Sequence, residues 1–238
     1  MDSTQAMGFG HFLTHADGLA RGILVLMLLA SVASWYLILT KAVSNLAAQR
    51  RSTRFLDFFW NAPSLNAVAA RLEEQHPDEP FSHLAYHGIA AASHHERHGV
   101  NLLNEAGSSG EFVTRTLRKT IDEETARAES GLTVLASIGA TAPFIGLLGT
   151  VWGIYHALVA IGMSGAGTLD KVAGPVGEAL IMTAVGLAVA VPAVLGYNLL
   201  VRRNKAGMER VRAFSADLHS VLLAGSRVGE QRQMAEAA

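Results

Sequence analysis

Polar and apolar positions alternate between two regimes along the chain. Gly22 to Thr40 contains no Asp, Glu, Lys or Arg, and Ser130 to Val201 contains only Asp170, Lys171 and Glu178. Uncharged runs of that length exceed the roughly 20 residues a helix needs to cross about 30 Å of hydrocarbon. They predict three transmembrane helices, at residues 22–43, 132–162 and 172–201, with a short loop at 163–171 between the last two. The remaining segments, 1–21, 44–131 and 202–238, carry the charge. The middle one is helical in pattern, with breaks expected at Pro63, at the PDEP of Pro77 to Pro80 and at the AGSSG of Ala106 to Gly110. Beyond the last break, Val113, Leu117 and Ile121 recur at helical spacing and no Pro intervenes before Pro143. This predicts one helix from about Glu111 to Gly162, roughly 75 Å long at 1.5 Å per residue. Met208, Val211, Phe214, Leu218 and Leu222 likewise continue an apolar stripe past the third span. The fold class predicted is all-α, an integral membrane protein with three transmembrane helices, the second and third extended into a cytoplasmic helical bundle.

The first run, GILVLMLLASVASWYLILTKAV, is about twice a usual signal-peptide core and lacks a basic leading stretch and a cleavage site, so it reads as a retained span. Orientation follows from the basic residues. Nine Lys or Arg lie between Ser44 and Gly131 and seven after Val201, against Arg21 alone before the first span and Lys171 alone in the loop. This places the amino terminus and the short loop outside, and the middle segment and carboxyl-terminal tail in the cytoplasm; the resemblance described below makes the outer side the periplasm. Arg50, Arg51, Arg54, Arg202 and Arg203 are then candidates to meet anionic lipid head groups at the inner surface.

Composition removes several classes of function. With 19 basic and 20 acidic residues in 238, the balance gives no reason to expect nucleic acid, and the absence of Cys removes disulfides and thiolate metal sites. There is no GxxxxGK[ST] phosphate loop, and the catalytic pairs that an intramembrane protease requires are missing, so neither an enzyme nor a cofactor is expected. His83 with His87 and His94 with His98 have i, i+4 spacing, yet no Cys, Asp or Glu completes a metal pattern and a solvated helix face is favoured.

Glu178 is the candidate for chemistry. A carboxyl group inside an apolar span is costly, and out of water such a group favours its neutral form, which suits it to reversible protonation. The competing reading is a carboxyl that only fixes helix packing. Thr150 and Thr183 are the neighbouring polar candidates. An isolated intramembrane Thr ordinarily bonds back to its own helix, and Thr183 stands about 140° round an ideal helix from Glu178. His156, near the outer end of the second span, is a secondary candidate for a proton path. Pro143 and Pro192 lie within spans as bends or as sources of freed carbonyls. Gly149 and Gly153 form a GxxxG pair that permits close helix approach, pointing to a packed multi-helix assembly. Three helices could hardly enclose a wet carboxylate, so an oligomer is expected.

The stretches IGATAPFIGLLGTVWGIYHALVAIG, Ile138 to Gly162, and TLDKVAGPVGEALIMTAVGLAVAVPAVLGYN, Thr168 to Asn198, resemble the second and third spans of the MotA/TolQ/ExbB proton-channel family. The likeness is greatest to ExbB, then TolQ, with MotA more distant. The resemblance implies a homopentamer in the bacterial inner membrane around a central pore that receives the transmembrane helices of ExbD. That complex uses the proton motive force to energise TonB and, through it, outer-membrane import of iron-siderophores and vitamin B12. It also implies that Glu178 is the pore glutamate and that Thr150 and Thr183 are the pore threonines, which reverses the weight given to those hydroxyls. His156 stands where some members have an amide, so no role is carried to it. The alternatives that remain are a TolQ-like subunit of an envelope-integrity motor and a non-conducting scaffold.

Overall fold

The computed structural model describes residues 18–98, 109–164 and 169–224. Among these every regular element is a helix: α1 Gly18–Asn61, α2 Leu65–Glu74, α3 Pro80–His98, α4 Ser109–Glu129, α5 Leu132–Ser164 and α6 Leu169–Ala224. Helices α1, α5 and α6 each contain a stretch long and apolar enough to cross a membrane. The described residues form two compact units, one within 18–41 and 131–200 and one within 42–130 and 201–224. Helices α1 and α6 contribute to both.

The breakers act where expected. Helix α1 ends two residues before Pro63, Ser64 caps α2 by accepting from the Ala67 amide at 3.2 Å, and Pro80 opens α3 at its first turn. Of the AGSSG segment, Ala106 to Ser108 lie outside the described residues, and α4 begins at Ser109. The apolar stripe past the third span is also found, since α6 runs unbroken to Ala224 and buries Met208, Val211, Phe214 and Leu218.

One expectation fails. The helix predicted from Glu111 to Gly162 is two helices, interrupted at Ser130 and Gly131. Gly131 has φ of +79°, a conformation that L residues with a Cβ resist, so the chain turns there at the one glycine available.

The unit of 42–130 and 201–224 has a large-residue core of Phe59, Leu72, Phe81, Leu84, Val113, Leu117, Val211, Phe214 and Leu218. Phe214 is its hub, with ring centroids 5.1 Å from Phe59, 5.9 Å from Trp60 and 5.5 Å from Phe81, all edge-on. Burying such rings contributes both area and favourable edge-to-face contact. Polar groups inside this unit are paired. The Glu79 carboxylate, 4% exposed, accepts from Ser52 Oγ at 2.6 Å and from the amides of Phe81 and Ser82, capping α3. Asn204 accepts from Asn45 Nδ2 at 3.0 Å and donates to the Ala128 carbonyl at 2.7 Å, joining α6 to α1 and α4.

Candidate functional site

The other unit, in its described residues, consists of α1 up to Lys41, α5, and α6 up to Leu200. Its inner surface is small. A Cβ built on Gly146 would lie 2.7 Å from the Met182 carbonyl oxygen, and one on Gly186 would lie 2.7 Å from the Ala142 carbonyl oxygen. Side chains larger than hydrogen at these positions would hold the helices apart, so glycine here sets the α5–α6 distance. Gly149 packs on Met182 and Gly153 on Ala179, so the GxxxG pair serves contact between helices of the same chain. The contacts Gly139 with Val194, Gly146 with Gly186 and Gly153 with Ala179 define an antiparallel register: a step along α5 toward Ser164 is a step along α6 toward Leu169. Helix α1 closes the unit, with Ile23 and Met27 packed among Ala142, Ile145, Met182, Val185 and Val189, and Ile38 seated on Gly196.

Thr150 is 4% exposed, and its hydroxyl donates to the Leu147 carbonyl at 2.7 Å. The back-bonding anticipated for an isolated intramembrane Thr is thus present, and it leaves the oxygen's lone pairs for another donor. Thr183 is half-buried, with its Cα 3.3 Å from the site of a Cβ on Gly146. The register therefore brings Thr150 and Thr183 to one level of the α5–α6 seam, although they are distant in sequence. Glu178 belongs to α6, next to Ala179 and hence level with Gly153; its side chain lies outside the described residues. Position 178 also shares a helical stripe with Met182, Val185 and Val189, whereas Thr183 faces away from that stripe.

Toward the Ser164 end of α5, His156 Nδ1 lies 3.2 Å from the Trp152 carbonyl, and the two rings are 4.5 Å apart. Sequence reasoning had little reason to notice Trp152, whose Nε1 is buried without a hydrogen-bond partner among the described residues. Pro143 and Pro192 both lie inside helices that continue through them.

Elsewhere, Arg50, Arg51, Arg54, Arg202 and Arg203 are all exposed. Arg51 and Arg54 line a cavity of about 310 Å³ with Arg71 and His76, and Arg51 Nε is 3.7 Å from Asp78. Arg203 borders a second cavity, about 300 Å³, with Arg210 and Met208. The histidine pairs are used within the fold: His83 lies 4.0 Å from the buried Glu124 carboxylate, which Arg127 also holds at 2.8 Å, and His94 stacks on Phe112. The side chain of His98 lies outside the described residues.

Comparison with known proteins places this seam in context. Residues 76–213 match the model of the MotA/TolQ/ExbB proton channel family. The chain is 41% identical over 230 residues to the biopolymer transport protein ExbB of Xanthomonas campestris pv. campestris (strain B100), covering 93% of this chain and 91% of that one. It is 40% identical over 207 residues to ExbB of Neisseria meningitidis serogroup A, covering 87% and 93%. The Tol-Pal system protein TolQ of Pseudomonas aeruginosa is 29% identical over 212 residues, covering 88% and 90%.

Proposed function

The chain belongs to the MotA/TolQ/ExbB proton channel family, and on that premise we propose that it is the pore-building subunit of a pentameric inner-membrane motor. In this reading five copies surround the transmembrane helices of ExbD, and the complex uses the proton motive force to energise TonB and thus outer-membrane import of iron-siderophores and vitamin B12. The amino terminus and the 163–171 loop face the periplasm, the spans are 22–43, 132–162 and 172–201, and residues 44–131 and 202–238 are cytoplasmic. In that orientation Arg50, Arg51, Arg54, Arg202 and Arg203 meet the anionic inner leaflet.

The observation that carries the reading is the α5–α6 seam, where antiparallel packing brings Thr150 and Thr183 to one level with Glu178 about one turn away toward the Leu169 end. Every other position of α6 from Ala179 to Leu200 is uncharged, so the field at this depth is set by one carboxyl per subunit. A ring of five such groups presents a negative potential to a partner helix. When a carboxyl on that helix takes up a proton, its repulsion from the ring falls and the helix is released to move. Each charge crossing the membrane brings about 2.3 kcal/mol per 100 mV, enough to bias a step. The higher identity to the ExbB proteins of Xanthomonas and Neisseria than to TolQ of Pseudomonas aeruginosa favours energised import over envelope integrity.

Replacing Glu178 by Gln keeps shape and hydrogen bonding but removes titration. In a strain lacking the native subunit, Glu178→Gln is expected to abolish gradient-dependent siderophore uptake while the complex still co-purifies with its single-span partner. Full uptake by Glu178→Gln would replace the ion pathway with a purely structural scaffold.

A further inference from the structure

We propose that the cavity between α1 and α2 is a binding site for a phosphate monoester, held by Arg54 and Arg71 with Arg51 beside them. The inference stands whether or not the pore reading holds, and it names the anion for which this arginine cluster is built.

Three elements assemble the site. Arg51, Arg54, Phe55 and Phe58 recur at helical spacing and share one face of α1. Arg71 and Leu72 come from the last turn of α2, and the stretch from Gln75 to Glu79 closes the cavity before α3 begins. The wall is held from behind. Leu72 is buried in the same core as Phe59 and Phe81, with Phe55 and Phe58 packed against that core. The arginines therefore stand over an apolar floor that the fold keeps in place. Arg71 Cζ lies 4.2 Å over the Phe58 ring, and this stacking orients the guanidinium fork.

The carboxylates at the cavity are already engaged. Glu79 is buried and accepts from Ser52 Oγ and from the amides of Phe81 and Ser82, while Asp78 lies 3.7 Å from Arg51 Nε. Among the described residues, Arg54 and Arg71 have no ion pair. Two unpaired guanidinium forks match an anion with about two negative charges and several acceptor oxygens. A phosphate monoester supplies this, with a charge of about −1.5 to −2 at pH 7 and three acceptor oxygens, whereas a carboxylate or a phosphodiester brings a single charge. At about 310 Å³ the cavity lies at the small end of ligand pockets, which span ~300–1,000 Å³. It has room for a phosphate and a modest organic group laid on Phe55, Phe58 and Leu72. Soluble phosphomonoesters and phosphatidic acid share that chemistry.

The test uses the full chain with its single-span partner in phosphatidylcholine nanodiscs, titrated calorimetrically with phenyl phosphate. One phenyl phosphate should bind per chain, and more tightly than methyl phenyl phosphate, the corresponding diester. Arg54→Gln and Arg71→Gln should each weaken binding by about 10-fold or more, the loss expected when a charged hydrogen-bonding partner is removed. Arg71→Lys should not restore it, because an ammonium lacks the fork and the stacking plane. In the unsubstituted protein, ³¹P–¹⁵N dipolar recoupling should join the bound phosphate to arginine guanidinium nitrogens, a reading independent of how the variants fold. Absence of saturable binding, equal affinity for the diester, or unchanged binding in both Gln variants overturns the site. Nanodiscs containing phosphatidic acid separate the sources: loss of phenyl phosphate binding there identifies the lipid as occupant, retained binding identifies a soluble ester, and either supports the site. Uptake is not the readout, so failure here is distinct from failure of the pore reading tested by Glu178→Gln.

Discussion

The two units of the chain hold together by opposite means. The unit of 42–130 and 201–224 buries its large residues, Phe59, Phe81, Leu84, Leu117, Phe214 and Leu218, and leaves most of its charge, Glu79 and Glu124 excepted, on its surface. The unit of α1 up to Lys41, α5, and α6 up to Leu200 also buries Met27, Leu135 and Met182, but its α5–α6 contact is made by small residues. It buries Ala142, Gly146, Gly186, Ala190 and Ala193, while Phe144, Leu148, Val151, Leu187, Val191 and Leu195 are exposed. The contrast follows from the solvent each is built for. Water drives large apolar groups together, whereas lipid gives helices no such reason to associate and leaves close backbone contact as the source of cohesion. Cohesion in one unit scales with the area of a side chain, and in the other with its absence.

Substitutions that exchange the two rules should break each unit selectively. Gly186→Leu should have the largest effect, because its Cβ would stand 2.7 Å from the Ala142 carbonyl oxygen and 3.0 Å from Gly146 Cα, neither of which can move aside cheaply. Folded, partner-bound protein should disappear from detergent extracts, and a normal yield would show that the α5–α6 distance is not set by glycine. Phe214→Ala should come next, costing about 3–5 kcal/mol through loss of the hub ring. Thermal unfolding followed by circular dichroism should show a lowered transition. Glu79→Ala should cost about 1–3 kcal/mol, since it leaves Ser52 Oγ and the amides of Phe81 and Ser82 without their acceptor. The exposed pair of Lys119 and Glu123, 3.7 Å apart, provides the lower bound. Lys119→Ala should change stability by less than about 1 kcal/mol in the same melting experiment.

How much of this was legible in the sequence depends on whether a feature is local. The three spans were legible because lipid demands long uncharged runs, and Pro63 and Pro80 were legible because proline constrains its own backbone. Ser130 and Gly131 were not. Amid good helix formers a single glycine costs only about 1 kcal/mol, and its positive φ is decided by how the chain continues on either side. Gly149 and Gly153 announced close packing but not the partner, which is Met182 and Ala179 of the same chain. The common level of Thr150 and Thr183 along the seam follows from the antiparallel register, which no spacing in either helix encodes. Glu79 and Glu124 looked like surface charges, since a carboxylate buried by a cap or an arginine has the same letter as a solvated one.

The turn at Gly131 has a consequence for how the chain breathes. Helix α6 continues from Leu169 to Ala224, lacking only the amide donors of Pro175 and Pro192, but α4 and α5 have separate ladders that end and begin on either side of a glycine. Unzipping of α4 can therefore stop at Ser130 without fraying α5. Amide hydrogen exchange should divide sharply there, with one opening free energy up to Glu129 and another from Leu135 onward, while α6 shows no such step at Val201.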